Sequence, residues 1–180
     1  VSGIRASLNK AINIKRQNMQ IVDAIVAEDI GKFPDNNVVE ALQRVTGVQV
    51  TDRASGEVNT VSIRGLTDVT TTVNGRNIFT STGRSIALAD IPAALLQSAN
   101  VYKTRSASQL GSGLAGQIDV KTQRPFDFED SKVVLAARAI EQEQADYYDP
   151  NVSLLMSDRW ETDFGEVGAL VNVAYARTRF

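Results

Sequence analysis

The stretch that decides the fold reads VSIRGLTDVTTTVNGRNIF and covers residues 61–79. Apolar and polar residues alternate from Thr60 to Arg64, which is typical of a strand with one buried face, and a glycine then stops the pattern. Two further short runs, Thr70–Val73 and Arg76–Phe79, flank Asn74-Gly75, and this dipeptide is the strongest short signal for a β-hairpin. The stretch therefore predicts short strands joined by tight turns.

The segments around this stretch predict helices as well as strands. Residues 36–46 are predicted as a helix that buries Val38, Leu42 and Val45, because Asn37 and Glu40 have capping-box spacing and Gly47 suits the position after a helix. Two more helices are predicted at Ile4–Asn18 and, beginning near Pro92, at Ile91–Ala99. For the first of these a short amphipathic helix is the ordinary interpretation, and a membrane-surface helix is the alternative. Further strands are predicted at Ile21–Ala27, Val48–Val50, Val101–Lys103 and Gln117–Thr122, so the region is α+β.

A glycine-rich segment, residues 111–116, matches the G-x-G-x-x-G pattern of dinucleotide-binding proteins. That function needs a strand before the glycines and a helix beginning within them, so that the helix N-terminus holds the pyrophosphate. Here the preceding residues are small and polar, and Ile118–Lys121 alternates as a strand. We interpret the segment as a tight passage between strands that glycine permits.

The last third of the chain alternates over longer runs. Three strands are predicted around Val133–Ala139, Val152–Ser157 and Val167–Ala176, each of about ten residues or more, which exceeds the soluble average of about five to six and suits a membrane barrel. Tyr147 and Tyr148 precede the second strand and Trp160 follows it, as expected for aromatic girdles at the edges of an apolar band. An ordinary antiparallel sheet with one buried face is the alternative.

The composition excludes several function classes. The 180 residues are 43% hydrophobic and 22% charged, with a net charge of −2, which argues against nucleic-acid binding. The sequence contains neither Cys nor His, and this excludes disulfides, Cys/His zinc sites, thiol nucleophiles and His-based triads. Metal sites made of oxygen ligands and acid–base chemistry by paired carboxylates stay open, but a solvated surface is the better interpretation of the neighbouring pairs Glu28-Asp29 and Glu129-Asp130. We therefore expect no enzymatic activity, cofactor or metal. No apolar run reaches the roughly eighteen residues of a transmembrane helix.

The charge is divided unevenly along the chain. Residues 1–125 carry 14 Lys and Arg against 10 Asp and Glu, whereas residues 126–180 carry 5 against 11. The change falls at Arg124-Pro125, where the proline also interrupts a strand-like run. We predict a domain boundary there.

Taken together, the motifs resemble those of TonB-dependent outer-membrane receptors, in particular the subgroup of Caulobacter- and Xanthomonas-like bacteria. The resemblance covers essentially the whole chain. The matching segments are Gly3–Leu8, Ala11–Arg16, Ile30–Asp35, Glu40–Arg44, Gly47-Val48, Val61–Leu66, Asn74–Arg76, Val101–Lys103, Gly113–Gly116, Ser157–Trp160 and Gly165–Tyr175.

The resemblance implies a fold and a location. Residues 1–20 would follow the TonB box, residues 21–125 would form an α+β plug domain with a short mixed sheet and short helices, and residues 126–180 would begin a 22-stranded transmembrane β-barrel with its first three antiparallel strands. The plug would fill the barrel lumen in the bacterial outer membrane, with its N-terminus in the periplasm. The outside of the barrel would contact membrane lipid. Three strands leave an open edge, so we expect either a fragment of a longer receptor or a truncated product.

The resemblance also implies site residues. Val1, Ser2 and Gly3 resemble the last residues of the TonB box, which the inner-membrane motor protein TonB grips. Arg64 corresponds to the arginine of the plug's Ile-Arg-Gly motif and is a candidate for gating by pairing with barrel carboxylates; a purely structural role at strand-end carbonyls is equally open. Candidate substrate contacts on the plug apices are Arg53, Thr67, Asp68, Phe79, Thr80, Ser81 and Arg84.

Two functions follow from these observations. The first is energy-coupled uptake, with the chain as the gated plug and barrel start, and with an oligosaccharide expected as substrate rather than an iron chelate. The second is a non-transporting, plug-like periplasmic module that binds a ligand or partner. TonB, the remainder of the barrel and an extracellular substrate are the partners that the first function implies.

Overall fold

The computed structural model describes residues 2–26, 38–54, 57–78, 88, 91–92, 95–109, 111, 113–142 and 147–176. The chain divides into two compact units, Val1–Thr122 and Gln123–Phe180. No helix in the described ranges is both long and apolar enough to cross a membrane.

The first unit is built on a four-stranded mixed sheet. Its strands are β1 (Val22–Val26), β4 (Val69–Val73), β5 (Leu96–Tyr102) and β6 (Gly116–Thr122), in the order β1-β5-β6-β4. The pairs β1-β5 and β5-β6 are antiparallel, whereas β4 and β6 are parallel. A separate antiparallel hairpin is formed by β2 (Val48–Ala54) and β3 (Glu57–Ile63). The mixed sheet expected for a plug is therefore present.

The apolar face of the sheet carries the core. Ala99 and Val101 of β5 and Ile118 and Val120 of β6 are at most 1% exposed, and they belong to one cluster with the short helix α2 (Val38–Leu42) and the β2-β3 hairpin. Val38, Leu42 and Val45 are buried, as the sequence predicts. The helix is shorter than predicted, because the backbone after Leu42 forms tighter turns in which each N–H donates to the carbonyl three residues earlier. These turns end at Gly47, whose φ is +78°. Residues 36 and 37 lie outside the described residues.

The N-terminal helix α1 spans Ser2–Gln17 and confirms the prediction within two residues at its start and one at its end. Lys15 and Arg16 occupy its last turn, where cations interact favourably with the helix dipole. The Asn18 side-chain amide donates to the Ile14 carbonyl at 2.7 Å and satisfies one of the free carbonyls of that turn.

The helix predicted for Ile91–Ala99 is wrong. The Pro92 carbonyl accepts a hydrogen bond from Leu95 N at 3.0 Å, but Leu96–Tyr102 forms strand β5. This strand pairs with β1 on one side and β6 on the other, and four consecutive residues, Ser98–Val101, are buried. Polar Ser98 and Asn100 alternate with apolar Ala99 and Val101, so the strand pattern begins inside the segment that the apolar residues from Ile91 to Leu96 predict as a helix.

The hairpin predicted around Asn74-Gly75 is half wrong. The turn forms, and Arg76 bridges back to Val73. However, Asn77 and Ile78 are not in a strand, and Phe79 lies outside the described residues. The strand before the turn pairs instead with β6, because the backbone of the turn itself is bonded to that strand through Asn74 N and the Val120 carbonyl at 2.8 Å.

The second unit is a three-stranded antiparallel sheet, preceded by a 3₁₀ turn at Pro125–Asp127. Its strands are β7 (Lys132–Gln142), β8 (Tyr147–Thr162) and β9 (Gly165–Ala176), in that order. They have 11, 16 and 12 residues, so the three long strands that the sequence predicts are formed. The second strand is longer than predicted: Tyr147, Tyr148 and Trp160 lie within β8 rather than beyond its ends.

Candidate functional site

Arg64 sits at the first residue of a tight turn that ends β3. Ile63 and Leu66 bridge across the turn, and Arg64 and Gly65 have φ values of +54° and +79°, as in the type I′ turns of hairpins. The backbone N–H of Arg64 donates to the Gly47 carbonyl at 2.8 Å, which fixes the turn against the end of the α2 segment. Its side chain is exposed and has no hydrogen bond or ion pair within the described part of the chain. The fold therefore holds the backbone of Arg64 and leaves its guanidinium available.

The Asn74-Gly75 turn repeats this geometry and docks on β6. Its two φ values are +52° and +75°. The Asn74 side chain exchanges two hydrogen bonds with Thr122, one to its hydroxyl at 3.0 Å and one from its backbone N–H at 3.1 Å. The N–H of Gly75 donates to Asp119 Oδ1 at 2.8 Å. The dipeptide thus anchors β4 beside its parallel partner β6.

The glycine-rich segment is a close backbone passage into β6, as interpreted from the sequence. A Cβ atom on Gly113 would lie 2.4 Å from Thr70 Oγ1 and 2.7 Å from Thr70 N. The Asp68 side chain accepts from Leu114 N at 2.8 Å, and its backbone carbonyl accepts from Ala115 N at 3.0 Å. The residues after the passage form strand β6 and not a helix, so the segment does not provide the helix N-terminus that would bind the pyrophosphate of a dinucleotide.

This arrangement of turns around a mixed sheet has a counterpart among known protein families. A family model described as TonB-dependent Receptor Plug Domain matches residues 14–117, which is more than half of the chain. The chain belongs to this family. No curated protein matches the sequence. We refer to the first unit as the plug from this point.

Solved structures of receptors share the fold of the chain. A variant of the ferric enterobactin receptor from Pseudomonas aeruginosa matches with a TM-score of 0.68 and 21% identity, over 92% of this chain and 26% of the receptor. The siderophore receptor PirA from Acinetobacter baumannii matches with 0.68 and 21%, over 91% and 25%. The ferric citrate transporter FecA in its unliganded form matches with 0.67 and 17%, over 91% and 26%. The chain therefore spans about a quarter of the length of these proteins, and at these identities the likeness concerns the fold.

The structure places only part of the residue set predicted from the sequence. Thr67 and Asp68 are exposed and follow the Arg64 turn directly, so these three residues lie in one loop. Arg53 lies in β2, and Ser2 and Gly3 lie in the first turn of α1. Val1, Phe79, Thr80, Ser81 and Arg84 lie outside the described residues. Of the loop residues, Asp68 accepts a hydrogen bond from the Leu114 N–H, whereas the Arg64 side chain has no such bond to any residue that the structure describes.

Sequence reasoning missed an ionic cluster that ties α1 to the plug sheet. Asp23 of β1 accepts from Lys15 of α1 at 2.7 Å and from Lys103, which follows β5 and is only 8% exposed in its side chain. Burial opposes the charge on Asp23, but the hydrogen bonds from Lys103 and Lys15 outweigh it and hold the pKa of this carboxyl below its usual 3.8. Lys15 and Lys103 are 8 and 80 residues from Asp23 in the sequence, so no local motif indicates the cluster.

Replacing Asp23 by asparagine is expected to loosen the edge strand β1 by about 1–2 kcal/mol at pH 7, since a charged hydrogen bond to a nearly buried lysine is lost. A carboxyl whose pKa is lowered by folding stabilises the folded state above its unfolded pKa and loses that contribution as pH falls through the folded value. The difference between the two proteins should therefore shrink below pH 3.8. Protection factors of the β1 amides in the full-length protein, measured at pH 7 and pH 3, check this.

Lys15→Met and Lys103→Met serve as a matched pair of controls for the cluster. Lys15 is 60% exposed, so its replacement should change the β1 protection by less than about 1 kcal/mol. Lys103 should have the larger effect, because its ammonium also donates to the Thr46 carbonyl. Equal effects of the two replacements would contradict the central position of Lys103.

The second unit exposes one apolar face. Apolar side chains of neighbouring strands stand side by side in it, for example Val133, Met156 and Val171 across β7, β8 and β9. The exposed members, each from 39% to 70% accessible, are Val133, Leu135, Val152, Met156, Trp160, Val167, Val171, Val173 and Tyr175. On the opposite face Leu155 and Ser157 are buried. An apolar surface of this extent is the kind that faces a partner or a lipid phase.

Proposed function

We propose that the chain is the gated plug and the beginning of the barrel of a receptor that imports an extracellular substrate across the bacterial outer membrane, driven by TonB. The observation that carries the proposal is the plug-family match over residues 14–117, joined to an Arg64 side chain that is presented on a fixed turn without a partner in the described part of the chain. In this proposal Arg64 pairs with a barrel carboxylate when the gate is closed. An exposed pair of this kind is weak enough to separate during transport.

The apolar face of the second unit supports a membrane setting rather than the alternative of a periplasmic module. A water-soluble module would leave nine large apolar side chains of one sheet face in contact with water. In a barrel the same face would lie against lipid, and the strands of 11, 16 and 12 residues are long enough for the apolar core of a bilayer. We accordingly propose that β7–β9 are the first three strands of a large barrel of the 22-stranded type, with the plug in its lumen.

Replacing Arg64 by alanine is expected to change uptake and leave substrate binding at the cell surface intact. If the guanidinium holds the gate, its loss should alter the TonB-dependent uptake rate at least about tenfold, an effect of about 1.4 kcal/mol or more. Arg76→Ala is the matched control, because Arg76 is also an exposed arginine at a turn of the same unit, where it occupies the closing position of the Asn74-Gly75 turn. Rates are measured with labelled substrate in cells with and without TonB.

The outcome of this experiment separates the two functions. Uptake that continues without TonB would contradict energy coupling. Equal uptake rates for the Arg64 and Arg76 variants would contradict the gating role of Arg64. Its role would then be structural, as a residue of the positive-φ turn that ends β3.

Two classes of substrate are candidates. The resemblance to the Caulobacter and Xanthomonas subgroup favours an oligosaccharide, whereas the solved structures with the same fold include receptors for ferric enterobactin and ferric citrate. Titration of the purified full-length receptor with neutral oligosaccharides and with ferric siderophores decides between them. Because iron chelates carry charge and neutral oligosaccharides do not, only chelate binding should weaken strongly with added salt.

A further inference from the structure

One face of the plug sheet is polar, and its central row is buried. Asn100 of β5, Asp119 of β6 and Thr72 of β4 stand opposite one another in register and therefore on the same face. They are 2%, 6% and 3% exposed. The neighbouring row contains Tyr102, Gln117 and Thr70, again in register. Buried polar rows of this kind need their hydrogen bonds to be satisfied.

The Asp119 carboxylate is satisfied on one oxygen. Its Oδ1 accepts from Thr72 Oγ1 at 2.7 Å and from Gly75 N at 2.8 Å. No described donor bonds to Oδ2, and no described lysine or arginine forms an ion pair with this carboxylate. A carboxylate that is 6% exposed with no cation beside it is an unusual arrangement, because burial penalises an unpaired charge.

Two buried amide oxygens near Asp119 also lack donors. Asn100 Oδ1 has no hydrogen-bond partner, and Asn100 stands directly opposite Asp119 in the sheet. Asn77 Oδ1, two residues beyond the Gly75 N–H that bonds to Asp119, is likewise buried and without a partner. The three unmet groups are all hydrogen-bond acceptors, one of them charged.

A cavity of about 370 Å³ opens onto two of these groups, Asp119 and Asn77. Asp119, Asn77, Thr72 and Gln117 line it, and the other described residues of its lining are mostly polar and include no lysine or arginine. Arg105 is bonded to the rim of the cavity: its guanidinium donates to the Gly113 carbonyl at 2.9 Å and to Oγ1 of the lining residue Thr70 at 3.5 Å. The volume exceeds that of a single water several-fold, so a side chain or a small molecule can enter.

We propose that this cavity is a binding site for an organic cation, a guanidinium or a primary ammonium group, with Asp119 as its charged partner and Asn77 Oδ1 as a second acceptor. Guanidinium and ammonium groups carry only donors, which matches a site whose unmet groups are only acceptors. An anion would add repulsion, and a neutral ligand would leave the carboxylate without a counter-charge.

The cation has two possible sources with the same chemistry. One is a free ligand that carries an amine or a guanidine. The other is an arginine or lysine of the protein outside these 180 residues, since the chain spans about a quarter of the length of the receptors with this fold. Neither source requires transport, so the test below does not depend on the proposed uptake.

The free-ligand source is tested by titrating the purified full-length receptor with agmatine, which carries both cationic groups. We expect Asp119→Asn to weaken binding at least tenfold and Asn77→Asp, which adds a second carboxylate, to strengthen it at least threefold. Asp163→Asn is the matched control, because Asp163 is an exposed aspartate in the turn between β8 and β9, and it should leave agmatine binding unchanged. The Asn77→Asp variant keeps the test decisive even where Asp119→Asn fails to fold.

The internal source is tested on the same proteins by chemical footprinting. Phenylglyoxal modifies accessible arginines and acetic anhydride modifies accessible lysines, and peptide mapping locates them. If the cation comes from the protein, one arginine or lysine beyond residue 180 should be protected from modification in the parent protein and in the Asp163→Asn control. The same residue should become reactive in Asp119→Asn. In Asn77→Asp its protection should increase. The proposal is overturned if the parent neither binds agmatine nor protects such a residue, or if Asn77→Asp weakens both signals.

Discussion

Replacing Gly116 by alanine is expected to destabilise the plug by about 3 kcal/mol or more, because the position combines a steric clash with a backbone conformation that side chains avoid. Gly116 begins β6 with a φ of +145°, and a Cβ there would lie 2.4 Å from the Tyr102 carbonyl oxygen. That oxygen belongs to β5, the central strand, so relief would require β5 and β6 to separate. Urea unfolding of the full-length protein, followed through protection of the β5 and β6 amides, measures the loss.

Two glycines of the same chain serve as graded controls for Gly116. Gly111→Ala should change the free energy of unfolding by less than about 0.5 kcal/mol, since no atom of the described residues, its chain neighbours aside, lies within 4 Å of the new methyl group. Gly65→Ala should cost about 1–2 kcal/mol, because its φ of +79° disfavours a side chain although the surroundings are open. An alanine at Gly116 that behaves like one at Gly111 would contradict the close approach of β5 and β6.

Replacing Met156 by arginine is expected to impair assembly of the full-length receptor in the outer membrane far more than replacing Val134 by arginine. Met156 is in the middle of β8 on the apolar face and is 50% exposed, whereas Val134 of β7 is 41% exposed on the opposite face. On a water-exposed sheet both arginines would be tolerated, because both positions are open to solvent. A charge on the lipid face near the bilayer midplane costs about 2–4 kcal/mol, and a charge in the lumen costs much less.

The comparison is made by expressing both variants and measuring the folded fraction in isolated outer membranes from heat-dependent mobility on gels. A folded fraction that falls only for Met156→Arg supports β7–β9 as the start of a barrel. Similar fractions for both variants would contradict the lipid-facing assignment and would favour the soluble, plug-like module.

Several features of the fold were determined by local sequence alone. The Asn74-Gly75 dipeptide predicts a turn with positive φ at both residues, and the structure has φ values of +52° and +75° there. The spacing of Val38, Leu42 and Val45 predicts which residues face the core, and all three are buried. The long alternation after residue 131 predicts three extended strands, and β7, β8 and β9 form. Each of these signals lies within a few residues of the structure that it specifies.

The functional residues also differ in whether a local motif indicates them. Arg64 stands out in the sequence because the turn that presents it is a local Ile-Arg-Gly motif. Asp119 does not stand out, since its importance comes from residues of two other segments of the chain: Thr72 and Gly75 donate to it, and Asn100 stands opposite it in β5. For the same reason Asp23 was not recognised, because its two lysines are 8 and 80 residues away.

The sequence by itself therefore determined the turns, the helix faces and the alternating strands, because these depend on backbone preferences and on periods of two or 3.6 residues. Only the tertiary structure decided that Leu96–Tyr102 is a strand, that β4 runs parallel to β6, and that a buried carboxylate faces a polar cavity. The physical reason is that strand pairing and burial are properties of partners distant in the chain: the short segment Leu96–Tyr102 becomes a strand because β1 and β6 supply its hydrogen bonds.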